Sequence, residues 1–266
     1  MDITKFEDAK TCFAEFCLFF NKKLIAPNPS PAIDTIRAMS FEGLKIVNEV
    51  SILLENVRKE QPIGHNALIR EFFELLLQLT FMLKQDADER ALCYEYCHYK
   101  EESEYFDWFI PTKDSYNKIL TAEPRWGTMA SSESIFATAG TQKQKYEDEM
   151  NDPRFALIRL KTIKDNWHWY TIMDNSIKKI KDLAKNTGFY SDYLTIYHIL
   201  CRQTHANAVL ANVEFAKLEP KIQMVMAYFT VTIKNFISII AKYFVDNSII
   251  TKREIDMVLA PYQLFR

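Results

Sequence analysis

The sequence predicts an all-α protein, a multi-helix bundle of about eight to ten helices joined by short connections. Three observations predict it. Glycine is scarce, 5 in 266 residues, against roughly 7% in average usage. Apolar residues recur at spacings of three and four along most of the chain. No run shows the apolar–polar alternation of a half-buried strand. Glycine also supplies the tight turns of phosphate-cradling loops, and the chain contains neither a P-loop nor a dinucleotide-binding fingerprint.

The elements follow in order. Residues 4–21 place Phe6, Ala9, Phe13, Phe16 and Phe20 on one helical face. The breaker Pro27-Asn28-Pro29 ends that helix, and Ser30-Pro31 supplies an N-cap with proline at the first helical position. A long helix, in one or two pieces, follows to about Lys59, where Gln61-Pro62-Ile63-Gly64 interrupts. The next helix, 64–84, is strongly apolar through Leu75, Leu76, Leu77, Leu79, Phe81, Met82 and Leu83. Asp86 starts another, through Tyr94, Tyr96 and Tyr99 to about Trp108. Residues 110–150 contain Pro111, Pro124, Gly127 and Gly140 with weak periodicity. They read as short helices and loops, an irregular insertion and the most mobile part of the chain. Asp174 or Asn175 is expected to cap a helix ending at Gly188, and Ser191 the next. Glu219-Pro220 opens a long helix to about Asp246, and Thr251 to Phe265 forms the last. The expected organisation is a single helical domain over 1–266, with N-terminal helices to residue 60 and core helices at 64–108 and 170–246.

Composition bounds the function. The chain is 48% hydrophobic and 26% charged, ordinary values for a globular protein with a large core. The net charge of -2 argues against a dedicated duplex-DNA binder. The acidic N-terminus has no signal-peptide pattern, and five cysteines at loose spacings read as reduced thiols. The expectation is a cytoplasmic protein. Cys93, Cys97 and His98 share a helix face, but no second ligand pair completes a four-coordinate zinc site. No metal and no cofactor is therefore expected. Residues 222–241 are long enough to span a membrane. Lys234 and Asn235 fall mid-run, and Thr230, Lys234, Ser238 and Lys242 align at i, i+4. That is a core helix with one wet edge, and no membrane span is expected.

Three constellations carry polar chemistry. On one helix, Ser191, Thr195, His198, Arg202 and His205 share a face, while Tyr193, Ile196, Tyr197, Leu200 and Thr204 form the opposite, packing face. An arginine beside a histidine can orient a phosphate while the imidazole moves a proton near neutral pH. A solvated helix face has the same composition. Asn66, Arg70, Glu74 and Gln78 lie at spacings of four inside the most apolar helix. They read as a partly buried ion pair, or as a polar wall of the same cavity as His205. Trp167-His168-Trp169 with Lys178, Lys179 and Lys181 offers rings for base stacking or, equally, for a core.

The run Ala67-Leu-Ile-Arg70-Glu-Phe-Phe-Glu74 resembles the Leu-Arg-x-x-x-Glu opening of a prokaryotic family of unknown function. In that family a tryptophan segment and a Tyr-x-x-x-Tyr…Ser/Thr-x-x-His helix come later. They correspond here to Trp167 or Trp169, then Tyr193, Tyr197 and His205, across roughly residues 40–215. The family is similar in outline to the HEPN superfamily of helical domains. The resemblance implies a HEPN-like fold and a metal-independent ribonuclease or nucleotide-acting effector of phage defence, toxin–antitoxin or stress systems. It also implies a homodimer. Arg202 and His205 would be catalytic, supported by Arg70, Glu74, Tyr193, Tyr197 and His198. The HEPN pattern has four to six residues between arginine and histidine, whereas Arg202 and His205 have two between them. Arg58 and His65 have six, interrupted by Pro62 and Gly64. The alternative is a non-catalytic helical module that senses a ligand or binds a protein partner.

Overall fold

A computed structural model describes residues 3–24, 29–57, 65–125, 134–161, 168–204 and 218–265. The described residues are helical, with no strand among them. Their contacts divide the chain into two compact units, Met1–Ala87 with Ile177–Arg266, and Asp88–Ser176. The sequence reading expects one domain over the same span.

The first unit is built on phenylalanine. Helix α1 (Ile3–Lys23) presents Phe6, Phe13, Phe16 and Phe20, all fully buried. Helix α2 runs unbroken over Pro31–Val57, with Pro31 at its first position as Ser30-Pro31 predicts. Helix α3 (His65–Lys84) packs on α2 and on the long helix Leu218–Asp246. At the centre, the Phe72 ring meets Phe13 edge-on at 6.0 Å, Phe229 at 5.3 Å and Phe236 at 5.3 Å. Gly43 of α2 lies over this contact. A Cβ there would come within 3.1 Å of Phe72 and 3.2 Å of Phe13. That close approach accounts for a glycine in mid-helix, where it costs roughly 1 kcal/mol of helix propensity.

The second unit contains α4 (Ala87–Asp107), α5 (Asp114–Ala122), α6 (Ser134–Met150), α7 (Ala156–Lys161) and α8 (Trp169–Met173). Residues 110–150, expected to be short and irregular, include the 17-residue α6. Its apolar residues are spread thinly, but Phe136 is buried against Phe109 at 5.3 Å, and Lys143 bonds Asp107 at 2.7 Å. Two anchors and polar i, i+4 pairs hold a helix that periodicity does not reveal. Trp169 is core. Its ring meets Tyr94 edge-on at 5.7 Å, and its carbonyl accepts from Cys93 Sγ at 3.6 Å.

Helix α9 (Ile180–Thr187) ends where predicted, at Gly188 with φ +86°. Its start differs. Asp174 instead turns the chain locally by accepting from the Ser176 amide. The first turn of α9 is closed by Asp182, which accepts from the Lys178 and Lys179 amides. Ser191 likewise lies inside a helix rather than capping it, because the helix begins at Tyr190. Helix α10 (Tyr190–Asp192) leads through a π-helical turn, Tyr193–Tyr197, into α11 (His198–Thr204). Helices α12 (Leu218–Asp246) and α13 (Lys252–Leu259) complete the unit, with Thr251 and Glu254 in a reciprocal capping box. Within α12, residues Gln223–Asp246 have the length and hydropathy of a membrane span, but 56% of the most apolar window is buried inside the protein. Phe229, Ile233, Phe236, Ile237, Ile240 and Phe244 are all fully buried, so α12 is a core helix of this unit.

Two stability predictions follow from this core. Phe72→Ala should lower unfolding free energy by about 3–5 kcal/mol, read from chemical denaturation. His65 is 4% exposed, and burial lowers its pKa from 6.5 to about 4. Below pH 6.5 the unfolded chain therefore takes up a proton that the folded chain refuses. The stabilisation is full above pH 6.5 and should fall by about 3 kcal/mol as the pH drops to 4. The loss between pH 7 and 4 should be smaller by that amount in His65→Leu.

Candidate functional site

Helix α3 carries two unlike faces. Phe72, Phe73, Leu76 and Leu79 are buried, while Asn66, Arg70, Glu74 and Gln78 form a half-buried stripe at the edge of the core. Arg70 Nε lies 3.4 Å from Glu74 Oε1, with the two side chains 34% and 32% exposed. The pair is thus neither free in water nor sealed in the core. Spacing of four on one helix brings the charges together without any distant partner.

The distant partner is the π-helical turn. Tyr197 donates its hydroxyl hydrogen bond to Glu74 Oε1 at 2.8 Å, across 123 residues of sequence. Its ring packs on Phe73 at 5.9 Å, and Phe73 also meets Phe189 and Tyr228. Tyr193 stacks on Tyr197, with centroids 4.9 Å apart and planes at 22°. The Tyr190 ring stacks in turn on Tyr193 at 6.4 Å and 9°. His198 meets Tyr193 edge-on at 5.2 Å. A π-turn admits one extra residue, which rotates everything after it by about 100° relative to a straight helix.

The electrostatics match this geometry. Burial works against the Arg70 charge, but Glu74, Cys201 and Tyr197 outweigh it and hold the guanidinium above its ordinary pKa. Burial, then the Glu74 charge and hydrogen bond, push the Tyr197 phenol well up. Tyr197 is therefore a hydrogen-bond donor at every ordinary pH, not a general base. Burial and the Asp192 charge also raise Tyr228, whose enclosed hydroxyl faces Thr232 without reaching hydrogen-bond geometry.

The structure thus gathers Arg70, Glu74, Tyr193 and Tyr197 into one cluster, with His198 at its exposed rim. Ser191 and Thr195 are exposed, and Leu200 is fully buried. The Arg202 side chain, His205, Arg58 and Trp167 lie outside the described residues. Sequence reasoning missed Cys201 as part of the cluster and read it only as a free thiol; in the structure Arg70 reaches its sulfur. It also missed Tyr190, although Tyr190, Tyr193 and Tyr197 stand at the three- and four-residue spacings that carry the stack. Nothing in the composition of Tyr193–Tyr197 signals a π-turn.

Among the described residues no group of three or more His, Cys, Asp and Glu side chains is placed to hold a metal ion. Cys93 and Cys97 are buried. A shallow groove lined by Gly140, Gln144, Lys145, Asp148 and Asp152 lies in the second unit and contains none of the predicted site residues.

The Tyr197–Glu74 bond should be measurable as a coupling. Tyr197→Phe should destabilise the protein by about 1 kcal/mol, toward the low end for a hydrogen bond to a charged group because the site is partly wet. In a cycle with Glu74→Gln the two effects should be non-additive by about 0.5–1 kcal/mol, read from denaturation midpoints.

Comparison with known proteins gives one positive result. No curated protein and no solved structure matches the chain. The model of one family, described as a family of unknown function (DUF5677), matches residues 38–217. That span is close to the 40–215 over which the resemblance runs. It contains α3, the π-turn and α11, so both halves of the cluster lie within it. With well over half of its length matched, the chain belongs to the family of unknown function DUF5677.

Proposed function

We propose that this protein is a HEPN-like effector of the cytoplasm that acts on RNA or nucleotides without a metal, in phage defence or stress response. One observation carries the reading. The Arg70–Glu74 motif and the Tyr193–Tyr197 motif, far apart in sequence, meet in space, and the chain runs from that contact directly into Arg202 and His205. A π-turn lies at the meeting point, and such turns are frequent at functional sites.

The chemistry proposed is cleavage of RNA by its own 2′-hydroxyl. Arg202 holds the scissile phosphate and stabilises its developing charge. His205 takes the 2′-hydroxyl proton as that oxygen attacks phosphorus, the P–O5′ bond breaks, and O5′ leaves with a proton from water. Arg70 and Glu74 are positioning residues, which fix Tyr197 and so the helix that follows it. Spacing and the HEPN resemblance support the roles of Arg202 and His205, and a homodimer would bring two such helices together.

A second reading has its own support. Arg70 is already neutralised by Glu74, and Glu74 is already bonded by Tyr197. A self-satisfied cluster of that kind suits a non-catalytic helical module that binds a ligand or a protein partner.

The two separate on one assay. Labelled total RNA is incubated with the parent protein and with His205→Ala, both in EDTA. The ribonuclease reading expects cleavage by the parent and a loss of at least about a hundredfold in the variant. Equal cleavage by both, or none by the parent, contradicts it and favours the binding module.

A further inference from the structure

The tyrosine column has one closed end and one open end. At the closed end, the Tyr197 ring packs on Phe73 and its hydroxyl is held by Glu74. The middle ring, Tyr193, is covered on both faces by Tyr190 and Tyr197. The outer ring, Tyr190, is half-buried and has its remaining face covered by the Lys185 ammonium, 5.0 Å from the centroid. A lysine on an exposed ring is a weak cover, because its cation is strongly hydrated and its stem is flexible. Lys185 is exposed and lies on α9, which also carries the exposed Lys181, just after exposed Lys178 and Lys179. The column therefore ends in an aromatic face bordered by positive charge.

We infer that the Tyr190 end of the column is a docking platform for a purine nucleotide. The base stacks on the outer face of Tyr190, and Lys185 leaves the ring for the phosphate. Every base has a face that stacks on an aromatic ring, and a lysine meets phosphate as a point charge on a flexible arm. No bond is made or broken. A column already stacked beneath Tyr190 holds that ring in place, so little side-chain freedom is lost on binding. The inference rests on the RNA or nucleotide reading above and names the unit recognised, a purine joined to a phosphate. That unit occurs both in a single strand and in a free nucleotide.

The test is fluorescence anisotropy of a labelled short oligoadenylate with the full chain, with AMP as competitor. The platform predicts that Tyr190→Leu weakens binding about tenfold, while Tyr190→Phe binds like the parent. Lys185→Gln, at an exposed position, should weaken binding and flatten its salt dependence. Displacement by AMP identifies the free nucleotide as ligand, and binding of the oligomer unaffected by AMP identifies the strand. Failure of the parent to bind, or parent-like binding by a folded Tyr190→Leu together with Lys185→Gln, overturns the platform. These variants retain Arg202 and His205. Cleavage that depends on His205 with binding that ignores Tyr190 would therefore remove the platform and leave the ribonuclease reading. Binding that depends on Tyr190 without any cleavage would do the reverse.

Discussion

A guanidinium and a carboxylate on a helix as apolar as α3 cannot both be buried and left alone, since stripping either charge of water costs several kcal/mol. The helix therefore lies with Asn66, Arg70, Glu74 and Gln78 along the edge of the core and with Phe72 and Phe73 inside it. Much else in the first unit answers to that orientation. The buried face selects α1, α2 and α12 as neighbours through one connected set of phenylalanine rings. The polar edge selects the α10–α11 segment, whose Tyr197 brings a ring for Phe73 and a hydroxyl for Glu74 at once.

That double role of Tyr197 links packing to the proposed chemistry. A phenol that stays protonated and donates to a fixed carboxylate is a positional device. It sets where the helix carrying Arg202 begins and how it is rotated. The π-turn is part of the same device, because its extra residue lets Tyr193 and Tyr197 stack while Tyr197 still reaches across to α3. Strain in such a turn persists where surrounding contacts over-determine it, and here the Phe73, Phe189 and Glu74 contacts surround it.

Most of the fold was legible because helical periodicity reports which face is buried. Phe6, Ala9, Phe13, Phe16 and Phe20 mark α1, and all five are fully buried in it. Ser30-Pro31 and Gly188 mark helix ends through backbone rules that tertiary contacts do not alter. Helix α6 was not legible, because Phe136 and Lys143 stabilise it through residues distant in sequence. The ion pair of Arg70 and Glu74 could be read from spacing alone, being local to one helix. Its bond to Tyr197 could not, since nothing in either segment names its partner. Spacing arithmetic also assumes 3.6 residues per turn, so the π-turn shifts the face on which it places everything after Tyr197.

The central claim is that the Glu74–Tyr197 contact holds the segment before Arg202 in register on α3. Amide hydrogen exchange tests it most directly, by comparing the parent with Glu74→Leu. The account predicts that protection falls over residues 190–204 while the α1, α2 and α12 amides around Phe72 keep theirs. Unchanged protection over 190–204, or an equal loss throughout the core, would contradict it.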